Sequence, residues 1–240
     1  MKRRKLLSVS KAAMNPEPER HSRAFEVELI SDPAERAKQE ARNGLRQFDE
    51  VIEQVEYWLQ LQRPFRLRPS SILNLHRRAL EGISSFAGVW RPAAIEIGGS
   101  RHNPPGAHLV AELIEEMCDY VNEHWSKSPV HLAAYFLWRM NWIHPFVDGN
   151  GRTARALSYL VLSVRLGYRL PGTNTIPDQI ASDKNPYYRA LEDADKAFSA
   201  GQLDVSRAET LVEVLLANQL ASVLRAAKSS ASSKEHDQAV

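Results

Sequence analysis

The sequence predicts a mostly α-helical domain interrupted by one short β-hairpin. Three observations carry that prediction. Apolar residues recur at steps of three and four through most of the chain. The helical period breaks once, at a stretch rich in Gly and Pro. Two strongly apolar segments, HLAAYFLWRMNWI and ALSYLVLSVRLGY, flank a polar turn and read as buried helices.

The elements follow in order. Residues 1–33 are mixed and polar, with Pro16 and Pro18, and read as a partly disordered N-terminal segment. Residues 34–62 carry Ala37, Ala41, Leu45, Phe48, Ile52, Val55 and Leu59 on one stripe, the pattern of an amphipathic helix packing on the core. Ser70 or Ser71 is placed to cap a second helix that ends near Gly82. In GVWRPAAIEIGGSRHNPP the period changes: Ala94–Ile97 alternates weakly, Gly98-Gly99 turns and Pro104-Pro105 stops the run, so the segment reads as a hairpin. A third helix resumes at Ala107, with Val110, Leu113, Ile114, Met117 and Val121 inward. The two apolar helices follow, the second stopped by Gly167. Residues 186–199 and 204–226 read as two last helices, and 227–240 as a disordered tail.

Composition narrows the class. With 240 residues, 43% of them hydrophobic and 25% charged, the chain has the make-up of a single globular domain with appendages. A net charge of +2 shows no broad nucleic-acid footprint. The single cysteine, Cys118, excludes an intrachain disulfide and suits a reducing, cytoplasmic setting. No apolar run has the length of about 18 residues that a membrane span needs, so no membrane partner is expected. The remaining histidines, His76, His102, His108, His124 and His131, lack the spacing of a zinc site.

The chemistry concentrates in HPFVDGNGRTAR, His144 to Arg155. The turn opens a helix, whose first N–H groups and positive dipole end favour anions. Gly149 and Gly151 lack side chains, so the backbone can fold round a phosphate. Asn150 tolerates left-handed geometry and adds an amide. Arg152 and Arg155 stand three apart on one helical face, with guanidinium forks suited to phosphate oxygens. Asp148 is a hard oxygen ligand beside the cradle, suited to Mg²⁺. His144 has an imidazole able to accept a proton at neutral pH.

This segment resembles the signature of the Fic (Fido) family, H-x-F-x-[D/E]-G-N-G-R-x-x-R, and matches it at every fixed position. The resemblance implies a Fic-type domain over residues 66–205, extended by the N-terminal helix and a C-terminal helix at 206–226. It implies transfer of AMP from Mg²⁺-ATP to a Ser, Thr or Tyr hydroxyl of a protein substrate. His144 would be the base, Asp148 the magnesium ligand, and Gly149, Asn150 and Gly151 the anion hole. Arg152 and Arg155 would hold the outer phosphates, while Phe146 anchors the loop beside the nucleotide. Asn-Gly-Arg in the loop, in place of the Asn-Lys-Arg of the kinase-like branch, favours the AMP-transferring orientation. GVWR followed by IEIGG and PP resembles the family's flap, which holds a target segment by strand pairing; Ile95, Ile97, Gly98, Gly99 and His102 are its candidate target contacts. Asn185-Pro186-Tyr187-Tyr188 resembles an element bordering the adenine pocket, making Tyr187 and Tyr188 candidate nucleotide contacts. Arg91 is read as an ion partner for the flap base. Two other readings stay open: removal of AMP from a modified protein, and a toxin-like or adaptor protein acting by partner binding.

Control is the point of departure from the family. Many members carry an inhibitory helix, [S/T]-x-x-x-E-[G/N], whose glutamate pairs with the second signature arginine, here Arg155. Ser31 to Glu35 and Ser22 to Glu26 have the spacing, but Arg36 and Val27 follow. Further on, Glu40-Ala41-Arg42-Asn43-Gly44 has arginine where a glutamate would complete the pattern. The expectation is that this helix does not strongly inhibit the isolated chain; a degenerate inhibitor using Glu35 or Glu40, a separate antitoxin-like inhibitor or a homo-oligomer stay open as sources of control.

Overall fold

The computed structural model describes residues 22–23, 29–61 and 64–237. Among them are eight α-helices: α1 (Pro33–Gln60), α2 (Pro69–Leu80), α3 (Val110–Glu123), α4 (Pro129–Ile143), α5 (Asn150–Leu166), α6 (Ile176–Ser182), α7 (Asn185–Ser199) and α8 (Ser206–Asp237). The pair α4–α5 forms the centre. Both helices are apolar on nearly every face because both are enclosed: α1 and α2 lie against α5, while α3, α7 and α8 lie against α4. Phe136, Trp138, Leu157, Tyr159 and Val161 are buried there, and Cys118 joins the same core from α3. Burial pushes the Cys118 thiol up to about 12, with Asp119 and Glu115 adding to the effect, so it is an inert core residue.

Helix α1 turns inward a face that only partly follows its apolar stripe: Val55 is buried and Phe48 and Ile52 pack against the core as the stripe predicts, while Ala37, Ala41, Leu45 and Leu59 are exposed. Asn43, Gln47, Val51 and Val55 are its buried residues, whereas Leu45 is 70% exposed. The reason is hydrogen bonding. Asn43 Nδ2 donates to the carbonyls of Ala79 (3.3 Å) and Glu81 (2.8 Å), and Gln47 Nε2 to that of Leu75 (2.9 Å). These include carbonyls at the C-terminal end of α2, which no turn of its own helix can satisfy. Helix α2 starts at Pro69, with Arg68 rather than a serine at its N-cap.

The Gly- and Pro-rich stretch contributes one strand, β2 (Glu96–Ile97), which pairs antiparallel with β1 (Ser22–Arg23) in the register Ser22↔Ile97, Arg23↔Glu96. Gly98-Gly99 does turn the chain, with Gly99 at φ 70° and Ser100 N donating to Ile97 O at 3.1 Å. The returning arm makes no ladder with β2; the ring of His102 is drawn off to α4.

At the far end, Gly167 stops α5 in a left-handed conformation (φ 83°), its N–H reaching the carbonyls of Ser163 and Val164. Helix α8 runs to Asp237, past residue 226; Ala226, Ala227 and Lys228 are strong helix formers and carry it on. By length and composition Ser206–Ser229 is also long and apolar enough to cross a membrane, although it holds no unbroken apolar run of that length. Its inner face packs through Val212 and Gln219; the latter accepts from Ile176 N and donates to Pro171 O. The disorder expected of residues 1–21, 24–28 and 238–240 lies outside the described residues.

Candidate active site

The signature loop leaves α4 and enters α5 through two left-handed residues. His144, the C-cap of α4, has φ 51° and ψ 59° and is the one non-glycine with positive φ among the described residues. Gly149, the N-cap of α5, has φ 76°. Together they turn the chain from the end of α4 into the start of α5. A Cβ on Gly149 would stand 3.2 Å from Leu80 Cδ1 and 3.3 Å from the His76 ring. Gly149→Ala therefore combines backbone strain with crowding. It is expected to cost about 1–3 kcal/mol, seen as a fall in Tm of at least about 2 °C. Gly44→Ala, in an open stretch of α1 with no neighbour within 4 Å, is the control and should be neutral or stabilising. Equal Tm values for both variants would show that the loop does not depend on Gly149.

Beneath the loop lies Phe146, fully buried between His76 (ring centroids 3.4 Å, interplanar 2°) and Trp90 (5.0 Å). Phe146 is thus an anchor and makes no surface for a nucleotide. Asn150 is 2% exposed and its amide faces inward, accepting from Phe146 N (2.9 Å) and donating to Phe146 O (2.8 Å). Its side chain locks the loop; it is helical, and the left-handed conformation falls to Gly149. His76 holds the same loop from α2. Gly88 N donates to its Nδ1 (2.9 Å), so Nε2 carries the proton and donates to Asp148 O (2.9 Å). Burial lowers the His76 pKa to about 4, so the ring stays neutral, as the accepting Nδ1 requires. Nothing in the sequence marked His76, which lies more than sixty residues before the loop it supports.

His144 is buried, and its Nδ1 stands 3.2 Å from Asn141 O. A carbonyl only accepts, so Nδ1 carries the proton and Nε2 is left as the accepting nitrogen. Burial lowers its pKa to about 4; His102 and Arg91 push the same way, while the Asn141 carbonyl and Asp148 oppose them. The ring is therefore neutral at pH 7, the state that can take a proton.

On α5 the first turn presents N–H groups outside the helical ladder, which begins with Thr153 N to Gly149 O (3.0 Å). The half-buried Arg155 folds back over Gly151, where a Cβ would come within 3.3 Å of its Nη1. No carboxylate among the described residues lies within pairing distance of Arg155; burial lowers its pKa, with Arg152 pushing the same way and Tyr187, Tyr188 and Asp178 opposing. Tyr187 is buried and Tyr188 half-buried beside it, their rings 5.5 Å apart. A desolvated guanidinium at a helix N-terminus is an anion site.

Arg152 differs: its Nη2 is 3.1 Å from Asp148 Oδ2 and its Nη1 3.8 Å from Glu40 Oε1. Asp148 Oδ1 accepts from Gly149 N (2.6 Å), and Arg36 Nη2 approaches Oδ2 at 3.6 Å. Helix α1 thus reaches the signature through Arg36 and Glu40, while Glu35 and Arg42 point to solvent. Arg42 does not face Arg155, so changing it to glutamate has no partner to engage. The pairs made by Glu40 are partly exposed, with side chains 27–37% accessible, and of the kind worth about 0.2–1 kcal/mol. Glu40→Ala should accordingly tighten Mg²⁺-ATP binding by less than about fivefold in calorimetry. A gain well above tenfold would make α1 a strong inhibitor and overturn that expectation.

The flap residues are only partly free for a partner. Ile95 is buried, Ile97 half-buried, and Gly98 and Gly99 exposed at the tip. His102 faces inward rather than toward a target: Nε2 donates to Trp142 O (2.7 Å) and Nδ1 lies 3.8 Å from Asp195 Oδ2.

Comparison with known proteins agrees with this geometry. Residues 66–162 match the Fic/DOC family model. The chain is 38% identical over 128 residues to the protein adenylyltransferase Fic of Drosophila willistoni, covering 52% of this chain and 24% of that one. The counterpart in Drosophila persimilis has the same identity over the same length, covering 23% of that chain. The chain thus spans about a quarter of the length of these relatives. Among solved structures, a Fic domain containing signaling protein from Bacteroides thetaiotaomicron superposes with a TM-score of 0.61 at 21% identity, covering 78% of this chain and 71% of that one. A Fic family protein from Desulfovibrio desulfuricans G20 gives 0.58 at 20% identity, covering 82% and 55%. The signature loop, α4 and most of α5 fall within residues 66–162, the part of the chain that matches the Fic/DOC family model.

Proposed function

We propose that this domain transfers AMP from ATP to a Ser, Thr or Tyr hydroxyl of a protein. The observation that carries the reading is the joint placement of an accepting His144 Nε2 and an Arg155 guanidinium that pairs with no carboxylate among the described residues. The first suits removal of a hydroxyl proton; the second suits a phosphate tail held at the start of α5. In the reaction the target oxygen bonds to the α-phosphorus, and its proton passes to His144 Nε2. The bond from the α-phosphorus to the bridging oxygen breaks, and pyrophosphate leaves. The chain's part is positioning and charge stabilisation. The names of the relatives support the same reaction class.

Magnesium fits this donor set. No cluster of three or more His, Cys, Asp or Glu is present among the described residues, and Asp148 offers one half-exposed carboxylate at the mouth of the cradle. That suits an ion that keeps most of its water and phosphate ligands, with Asp148 as its protein ligand, and whose charge would offset that of the phosphates. Of the two tyrosines near Arg155, the half-buried Tyr188 is the one read as bordering the nucleotide, while Tyr187 is buried beside it. The tip of the flap, Ile97 to Gly99, is placed to meet a target segment, which has to share or replace the Ser22–Arg23 pairing on β2.

The deciding experiment is incubation of the chain with Mg²⁺ and a cell lysate, using ATP labelled at either the α- or the γ-phosphate. Protein should gain the α-label alone, together with the mass of AMP. Transfer of the γ-label would reject the reading in favour of a kinase-like orientation. Release of AMP from a modified protein, without forward transfer, would point to the reverse reaction.

A further inference from the structure

We propose that Arg91 is a positioning residue for the transfer reaction: it holds His144 in its left-handed conformation and ties it to both stems of the flap. The inference rests on the role given to His144 above. Arg91 is 2% exposed and has no carboxylate within pairing distance among the described residues, so it is not the ion partner its sequence context suggests. Its donors go to backbone carbonyls instead. Nε donates to His144 O (2.8 Å), Nη1 to Ala93 O (3.0 Å), and Nη2 to Pro105 O and, at 3.5 Å, to Ile143 O. The Arg91 backbone N–H adds a bond to Pro145 O (2.8 Å).

Those acceptors have a common meaning. Ile143, His144 and Pro145 are the end of α4 and the entry to the signature loop; Ala93 and Pro105 stand before and after the β2 turn. One guanidinium therefore fixes the carbonyl of His144 and both flap stems together. His102 adds a second tie from the same flap, to Trp142 O (2.7 Å). A buried cation is costly, and apolar packing would join these segments at less expense in desolvation. What packing cannot supply is a rigid planar fork that sets the direction of several carbonyls at once. His144 needs that support, since it carries a conformation that L-residues disfavour.

The charge of Arg91 also acts on the ring. The charged or titratable groups acting on His144 are Arg91 and His102 from the flap and Asp148 from the signature loop. The first two oppose a positive imidazole and Asp148 favours one. Removing the cation should therefore raise the midpoint at which His144 protonates, whereas keeping a cation without the fork should not.

Arg91→Met and Arg91→Lys in the full chain separate position from charge. The midpoint of His144 is read by NMR of labelled histidine rings, nucleotide affinity by calorimetry, and kcat and KM for Mg²⁺-ATP from transfer rates. Arg91→Met should raise the midpoint by at least about half a pH unit and lower kcat at least about tenfold, with KM changed less than about twofold. Arg91→Lys should leave the midpoint near that of the wild type and still lower kcat. A wild-type kcat and midpoint in Arg91→Met overturn the proposal, as does loss of nucleotide affinity in step with kcat. If Arg91→Met does not fold, Arg91→Lys decides alone, and a wild-type rate overturns it. If the wild-type chain transfers no AMP, the role of His144 fails, while the ring titration still reports whether Arg91 acts on it.

Discussion

Replacing His144 with alanine is expected to slow AMP transfer by ~10²–10⁴-fold while leaving ATP bound, the loss typical of removing a general base. Two features of the site set that expectation. Nδ1 is held by Asn141 O, so Nε2 has no alternative to accepting, and the phosphate-binding groups sit on α5, not on α4. The pH dependence has a defined sign. His144 works when neutral, and burial has lowered its pKa to about 4, so activity lost through this group disappears only as pH falls toward that value, below the ordinary histidine range. Transfer measured with α-labelled ATP at several pH values checks both statements. Near-normal activity in His144→Ala would remove His144 from the chemistry.

Asp148→Ala should abolish most transfer, with a loss of at least ~10²-fold, and weaken nucleotide binding only when Mg²⁺ is present. The carboxylate now accepts from Gly149 N and pairs with Arg152 and, more distantly, Arg36. Removing it takes away the proposed protein ligand for magnesium but releases two guanidinium groups toward the phosphates. The variant should thus bind metal-free ATP at least as well as the wild type. Calorimetry with Mg²⁺ and with a chelator tests the two signs separately. Unchanged Mg²⁺-ATP affinity in Asp148→Ala would show that the ion, if used, is held elsewhere.

The chemistry-bearing residues were legible because they are adjacent in sequence. His144, Asp148, Gly149, Arg152 and Arg155 fall within twelve consecutive residues that span the turn between two apolar helices and the start of the second, so local spacing alone brings them together at a helix start. The helices of the core were legible for a related reason: a buried stripe at steps of three and four leaves a periodic trace. The trace failed where burial is polar. The first half of the inner face of α1 is built on Asn43 and Gln47, whose amides satisfy carbonyls of the α2 region, so Leu45, on the apolar stripe, lies in solvent. It failed again at the flap, where the strand next to Glu96–Ile97 comes from Ser22–Arg23, more than seventy residues earlier.

By itself, then, the sequence determined which residues form the loop and what each can do as acid, base, anion donor or ligand, since those properties belong to residue types and short spacing. Only the tertiary structure decided what holds them. His76 under the loop, Arg91 across the carbonyls of His144 and the flap, and Arg36 and Glu40 on the signature charges all act over long separations in the chain. Hydrogen bonds to backbone carbonyls require no particular residue at the accepting position, so they leave no pattern to read. They exist only once α1, α2 and the flap have packed against α4 and α5, and that packing sets the tautomer of His144 and leaves Arg155, rather than Arg152, open to an anion.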